Sequence, residues 1–124
     1  MEIVPFLLAK KLKEKGFPQH ITDDAYIVDN YGEDAYDIGD RLPIPLIPDY
    51  MDDVAAPTIS QVLKWLREKD VMVEIIINLG DNGVWQFAFR IQTKKFYERA
   101  TKYDYTSYES AALFCIEYIV DNLI

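Results

Sequence analysis

With one cysteine, one histidine and five glycines, the chain has little of what most reactive sites are built from. Cys115 alone excludes an internal disulfide and every cysteine-based zinc centre. It lies in an apolar helical run and is expected to be a small buried hydrophobe. His20 has no cysteine or second histidine with which to share a transition metal, and beside Asp23 and Asp24 it reads as a solvated loop histidine. The glycines form no dinucleotide fingerprint or phosphate-binding loop, and there is no Gly-x-Ser-x-Gly elbow. Gly80-Asp81-Asn82-Gly83 joins two expected strands, so no helix N-terminus follows it to hold a phosphate. No apolar run approaches the roughly 20 residues that cross a bilayer. The opening MEIVPFLLAKKLKEKGF places its apolar stretch before its lysines, the reverse of a secretory signal, and a cytoplasmic location is expected. These absences leave no catalytic residue, cofactor or metal to name, and the chain is expected not to be an enzyme.

Basic side chains are missing from one long segment. Net charge is −8, yet residues 17–57 hold ten acids against Arg41 alone, and the rest of the chain is close to neutral. Within that segment DDAYIVDNYGEDAYDIGD, residues 23–40, has seven carboxylates, three tyrosines and no base. Its spacing fails as a calcium loop. With Gly39 at the sixth position, ligand positions fall on Tyr36, Ile38 and Pro45; with Gly32 there, the loop begins at Ile27. A solvated β-hairpin is the simpler reading. The alternative is a mimic of nucleic acid that acts by charge through residues 23–53.

What is present is a series of capped, amphipathic elements. Half the residues are hydrophobic, enough for a core without staples at 124 residues. A first helix is expected from about Pro5 to Lys15, with Val4, Leu8, Ala9 and Leu12 on its apolar side. Gly16 supplies a left-handed stop, and Phe17 folds back on Leu12. Residues 25–28 and 35–38 read as the arms of a hairpin. In DRLPIPLIPDYMDDVAAP, residues 40–57, the prolines predict an extended path that crosses from one half of the molecule to the other. Thr58 and Gln61 cap a second helix whose Ile59, Val62, Leu63 and Leu66 share a stripe.

The strongest β signal follows. Val71, Val73, Ile75, Ile77 and Leu79 alternate along VMVEIIINL, and Trp85, Phe87, Phe89 and Ile91 along VWQFAFRIQ. A two-residue turn at Asn82-Gly83 would put the two apolar faces on opposite sides. A three-residue loop, Asp81-Asn82-Gly83, pairs Leu79 with Trp85 and Ile77 with Phe87, and needs Gly83 left-handed. A third strand is expected within residues 95–103. Thr106 and Glu109 are expected to cap a last helix with Tyr108, Ala112, Cys115, Ile116, Ile119 and Leu123 on its apolar face. Phe114 and Tyr118 lie toward the other side and are candidates for a partner interface. The order α-β-β-α-β-β-(β)-α predicts one α+β domain over residues 1–124, in two parts, 1–57 and 58–124. Its antiparallel sheet should carry helices on one face.

Arg90, Lys94, Lys95, Arg99 and Lys102, interleaved with Phe96, Tyr97 and Tyr103, form the one basic-aromatic segment and the candidate nucleic-acid site. The helix, three strands and helix from Thr58 onward are similar in order to the double-stranded-RNA-binding domain. That module places lysines where this chain has Thr106-Ser107-Tyr108-Glu109, so its phosphate contact is not matched.

VPFLLAKKLKEKGF, APTISQVLKWLREK, the tryptophan-bearing second strand and YTSYESAALFCIEYIVDNLI together resemble a family of small uncharacterised proteins. These are common in Bacteroidetes genomes and in the phages and mobile elements within them. The resemblance spans nearly the whole chain and is weakest over the acidic and proline-rich stretches. It implies a phage or mobile-element origin and brings no activity, cofactor or site residue. The expected function is a non-catalytic protein-interaction module. Its expected partner is a protein, a second copy of the chain included. Nucleic acid is the alternative and a membrane is not expected.

Overall fold

The structure, a computed structural model, describes residues 2–27, 44–45, 53–95, 97–99 and 105–124. Among these residues there are three helices and two antiparallel three-stranded sheets, so the fold is α+β. Two sheets replace the one expected. The chain divides into two compact units, Met1–Thr58 with Ile124, and Ile59–Leu123.

In the first unit, α1 spans Phe6–Glu14. Pro5 sits just before it as the N-cap, with extended backbone (φ −60°, ψ 156°), one position earlier than expected. Phe6, Leu8, Ala9 and Leu12 are buried. The stop is the one expected. Gly16 has φ 92°, its N–H donates to the Lys13 carbonyl at 3.1 Å, and the Phe17 N–H donates to the Leu12 carbonyl at 2.9 Å. Phe17 and Leu12 are both buried, completing a Schellman ending with its apolar contact.

Strands β1 (Asp24–Ile27), β2 (Ile44–Pro45) and β3 (Asp53–Ala56) form the first sheet in the order β2-β1-β3. The expected hairpin arm at 35–38 lies outside the described residues. Asp24 and Ala25 pair on one side with Pro45 and Ile44 and on the other with Ala56 and Ala55. The proline-rich stretch is not a bare crossing, because it supplies both outer strands. Among the described residues β2 is an outer strand, where the missing N–H of Pro45 breaks no ladder bond. Ala55 and Ala56 carry almost no alternation signal, so nothing in the pattern marked β3. The segment before α1 joins the same unit: the Val4 N–H donates to the Pro57 carbonyl at 2.9 Å, and Ile3 bridges Thr58. The buried Tyr26 Oη–H donates to the Val4 carbonyl at 2.6 Å, and its ring meets Phe6 edge-on at 5.4 Å.

In the second unit, α2 spans Ile59–Glu68 and buries Ile59, Val62, Leu63, Trp65 and Leu66. It ends as α1 does. The Asp70 N–H reaches the Arg67 carbonyl at 3.0 Å and the Val71 N–H reaches Leu66 at 2.9 Å, with buried Val71 against buried Leu66. Val71 thus belongs to the helix stop and not to the strand. The left-handed position is taken by Asp70, at φ 62°, a conformation that costs most non-glycine residues about 1–2 kcal/mol. Strands β4 (Met72–Leu79) and β5 (Trp85–Gln92) pair in the expected register, Leu79 with Trp85 and Ile77 with Phe87. Gly83 is left-handed at φ 78°, and its N–H closes the loop on the Gly80 carbonyl at 3.0 Å. Strand β6 (Tyr97–Arg99) lies on the other side of β5.

Helix α3 spans Tyr108–Asn122 and buries Ala111, Ala112, Cys115, Ile116, Ile119 and Val120. Its cap is Ser107 with Ser110, not Thr106 with Glu109. The Ser107 hydroxyl accepts the Ser110 N–H at 3.0 Å, and the Ser110 hydroxyl accepts the Ser107 N–H at 3.3 Å. Glu109 stands in the first turn, where the helix dipole favours an acid. Tyr108, expected in the core, is exposed.

Two pairs of measurements test this account. Gly16→Ala should lose about 1–2 kcal/mol in denaturant melts from backbone conformation alone, because a Cβ at Gly16 would meet nothing within 4 Å; Asp70→Gly should gain roughly 0.5–1 kcal/mol. Burial pushes the Tyr26 phenol above its ordinary value of 10.0. Its contribution is therefore complete below about pH 10 and is lost as pH rises through the folded value. Tyr26→Phe should cost about 1 kcal/mol or more at neutral pH and remove that part of the alkaline loss.

Candidate interaction surface

The β4–β5 register places Val73, Ile75, Ile77 and Leu79 on one sheet face with Ile91, Phe89, Phe87 and Trp85. All were expected to lie under helices. The face is instead graded along its length. Ile91 and Phe89 are buried, Phe87 and Ile75 are half-buried, and Ile77, Leu79 and Trp85 are 55%, 54% and 58% exposed. Val84 in the loop is 53% exposed.

An aromatic triangle marks where helix cover ends. Phe114 of α3 lies 6.2 Å from the Phe89 ring and 5.3 Å from Tyr105, with Phe89 and Tyr105 5.9 Å apart. Tyr105 is held because its backbone exchanges both hydrogen bonds with Phe87, at 2.9 and 3.3 Å. Phe114 is itself 52% exposed, while Tyr118, one helical turn on, is half-buried. Of the two residues expected at an interface, Phe114 thus joins an exposed apolar surface that runs on to the hairpin tip. Ile77, Leu79 and Trp85 escaped the sequence reading because alternation tells which side of a strand is apolar and not how far a helix reaches along it. Exposed apolar residues grouped in this way are a usual mark of a docking site.

The candidate nucleic-acid residues are placed less favourably. Glu74, Arg90 and Arg99 occupy one register row on the opposite face. Arg90 is ion-paired with Glu74, at the side of an open concavity of about 310 Å³ lined also by Met72, Val73 and Gln92. Lys94 lies 3.2 Å from Asp70. Lys95 is exposed beside it, its N–H donating to Thr93 Oγ1 at 3.3 Å. Lys102 lies outside the described residues, as do most of residues 23–53, the acidic mimic candidate. His20 and Asp23 are exposed. Among the described residues no three His, Cys, Asp or Glu side chains are grouped to hold a metal, and no helix is long and apolar enough to cross a membrane.

Set against models of protein families, curated proteins and solved structures, the chain matches none.

Truncation should separate surface from core. Trp85→Ser should change stability by less than about 1 kcal/mol in denaturant melts, while Phe89→Ala should cost about 3–5 kcal/mol.

Proposed function

We propose that this chain is a non-catalytic protein-interaction module that engages a protein partner through the apolar face of the β4–β5 hairpin tip and Phe114. The observation that carries this reading is the group of half-exposed side chains Ile77, Leu79 and Trp85 on one face of a well-registered hairpin, with Phe114 of α3 on the same side. Aromatic anchors of this kind dominate the energetics of protein interfaces, and a fixed hairpin offers them at little ordering cost. The resemblance noted above adds a setting in a phage or mobile element. Its shared phrases are helix caps and apolar stripes, which suits a family defined by a scaffold.

Nucleic acid binding through Arg90, Lys94, Lys95, Arg99 and Lys102 is the weaker reading. Acids already face Arg90 and Lys94, and the chain as a whole repels phosphate at −8.

Two assays decide between them. Cross-linked partners recovered from the native host by the wild-type chain should fall at least tenfold with Trp85→Ser/Phe114→Ser. Labelled DNA and RNA should stay free even at low salt. An unchanged cross-linking profile would defeat the apolar-face reading. Low-salt nucleic acid binding lost in Lys94→Gln/Lys95→Gln would install the alternative.

A further inference from the structure

Among the described residues the two sheets have four outer strands, β2, β3, β4 and β6. Natural proteins block such edges with proline, charge, short length or a covering group. Three here are blocked. β2 carries Pro45. The outward Ala55 N–H of β3 is taken by Gln19 Oε1 at 2.8 Å. β6 carries charge on two of its three described residues, Glu98 and Arg99. β4 is the exception. It is eight residues long with neither proline nor lysine, and its one charge, Glu74, is paired with Arg90 of its own sheet.

The open side of β4 can be identified. The Gly80 N–H donates to the Val84 carbonyl at 2.9 Å. Bonded and non-bonded pairs alternate in an antiparallel ladder, so the even-numbered residues of β4 bond to β5. Val73, Ile75, Ile77 and Leu79 turn their N–H and C=O groups outward. The bonding of Phe87 agrees: it lies opposite Ile77 yet exchanges both hydrogen bonds with Tyr105 on its far side.

Those outward groups belong to a sequence that reads alike in both directions. About Ile76 the residues are Ile75 and Ile77, then Glu74 and Asn78, then Val73 and Leu79. We propose that β4 pairs antiparallel with β4 of a second copy about a two-fold axis at Ile76, joining two three-stranded sheets into one. In this register the outward residues meet as bonded pairs, Ile75 with the second copy's Ile77 and Val73 with its Leu79. Glu74 faces the second copy's Asn78, and Ile76 faces the second copy's Ile76. Apolar meets apolar and polar meets polar, with no like charges opposed, the self-complementarity a two-fold interface requires. Neighbouring registers lack this: an axis at Ile75 sets Ile76 against Glu74, and one at Glu74 opposes the two carboxylates. The pairing uses a strand edge, not the apolar face invoked above, and stands independently of that reading.

Light scattering on the full chain tests it. The wild type should have twice the monomer mass of 14.4 kDa. Ile76→Lys and Ile76→Glu should each be monomeric alone and should dimerise when mixed, each with an unchanged far-ultraviolet spectrum. Mild oxidation of Ile76→Cys should give a disulfide-linked dimer, because directly opposed non-bonded residues have Cα atoms about 4.5 Å apart, within disulfide range. Ile75→Cys, facing an isoleucine, should not cross-link, and Cys115 is buried in every variant. Trp85→Ser should remain dimeric, so failure of the edge and failure of the apolar face are read separately. A wild-type mass of 14.4 kDa at about 100 μM, or cross-linking by Ile75→Cys in place of Ile76→Cys, would overturn the proposal.

Discussion

The pairing register of β4 on β5 is the constraint from which the second unit follows. It is set at the turn, where left-handed Gly83 and a three-residue loop hold Leu79 opposite Trp85. Side chains alternate with a period of two, so a slip of one residue would send the β5 set to the other face. Phe89 and Ile91 would then leave the helices for solvent, and Arg90 would enter the core without Glu74. The same register decides which backbone groups of β4 face outward, and hence what the edge can accept. One glycine conformation therefore governs core, ion pair and edge together.

Helix termination works in parallel in the two units. Both α1 and α2 end in a left-handed residue followed by an apolar one that folds back onto the last turn, Phe17 on Leu12 and Val71 on Leu66. In each case the folded-back residue heads the chain into the next element from inside the core. Glycine fills the left-handed position in the first helix. Asp70 fills it in the second, where its carboxylate also meets Lys94. An exposed ion pair of this kind is worth little, so Asp70 trades backbone ease for a weak surface contact.

Features with a local cause were legible from sequence. The stop at Gly16, the paired strands and their loop, and the helical stripes each need only neighbours within a few residues. What stayed hidden depends on distant partners. β2 and β3 are strands because β1 lies between them, and Ile44, Pro45, Ala55 and Ala56 show no alternation of their own. Ser107 displaced Thr106 as cap because Ser110 can answer it reciprocally, a choice between two adequate hydroxyls that spacing alone does not make. Of the candidate site, Phe114 could be named because it sits across α3 from the buried stripe. Ile77, Leu79 and Trp85 could not, because their pattern is identical to that of a covered strand.

Gln19 links two of these devices through a single amide. Its Oε1 accepts from Ala55 at the rim of the first sheet, and its Nε2 donates to the Phe17 carbonyl at 2.8 Å, just beyond the α1 stop. Both ends of the amide are in use, so the group cannot be rotated or replaced by a carboxylate without losing a bond. Slow hydrolysis of this side chain to glutamate would keep the acceptor, remove the donor and set a charge against a carbonyl oxygen. Chemical ageing at one position would in this way loosen the segment that shields β3 and uncover the outward Ala55 N–H.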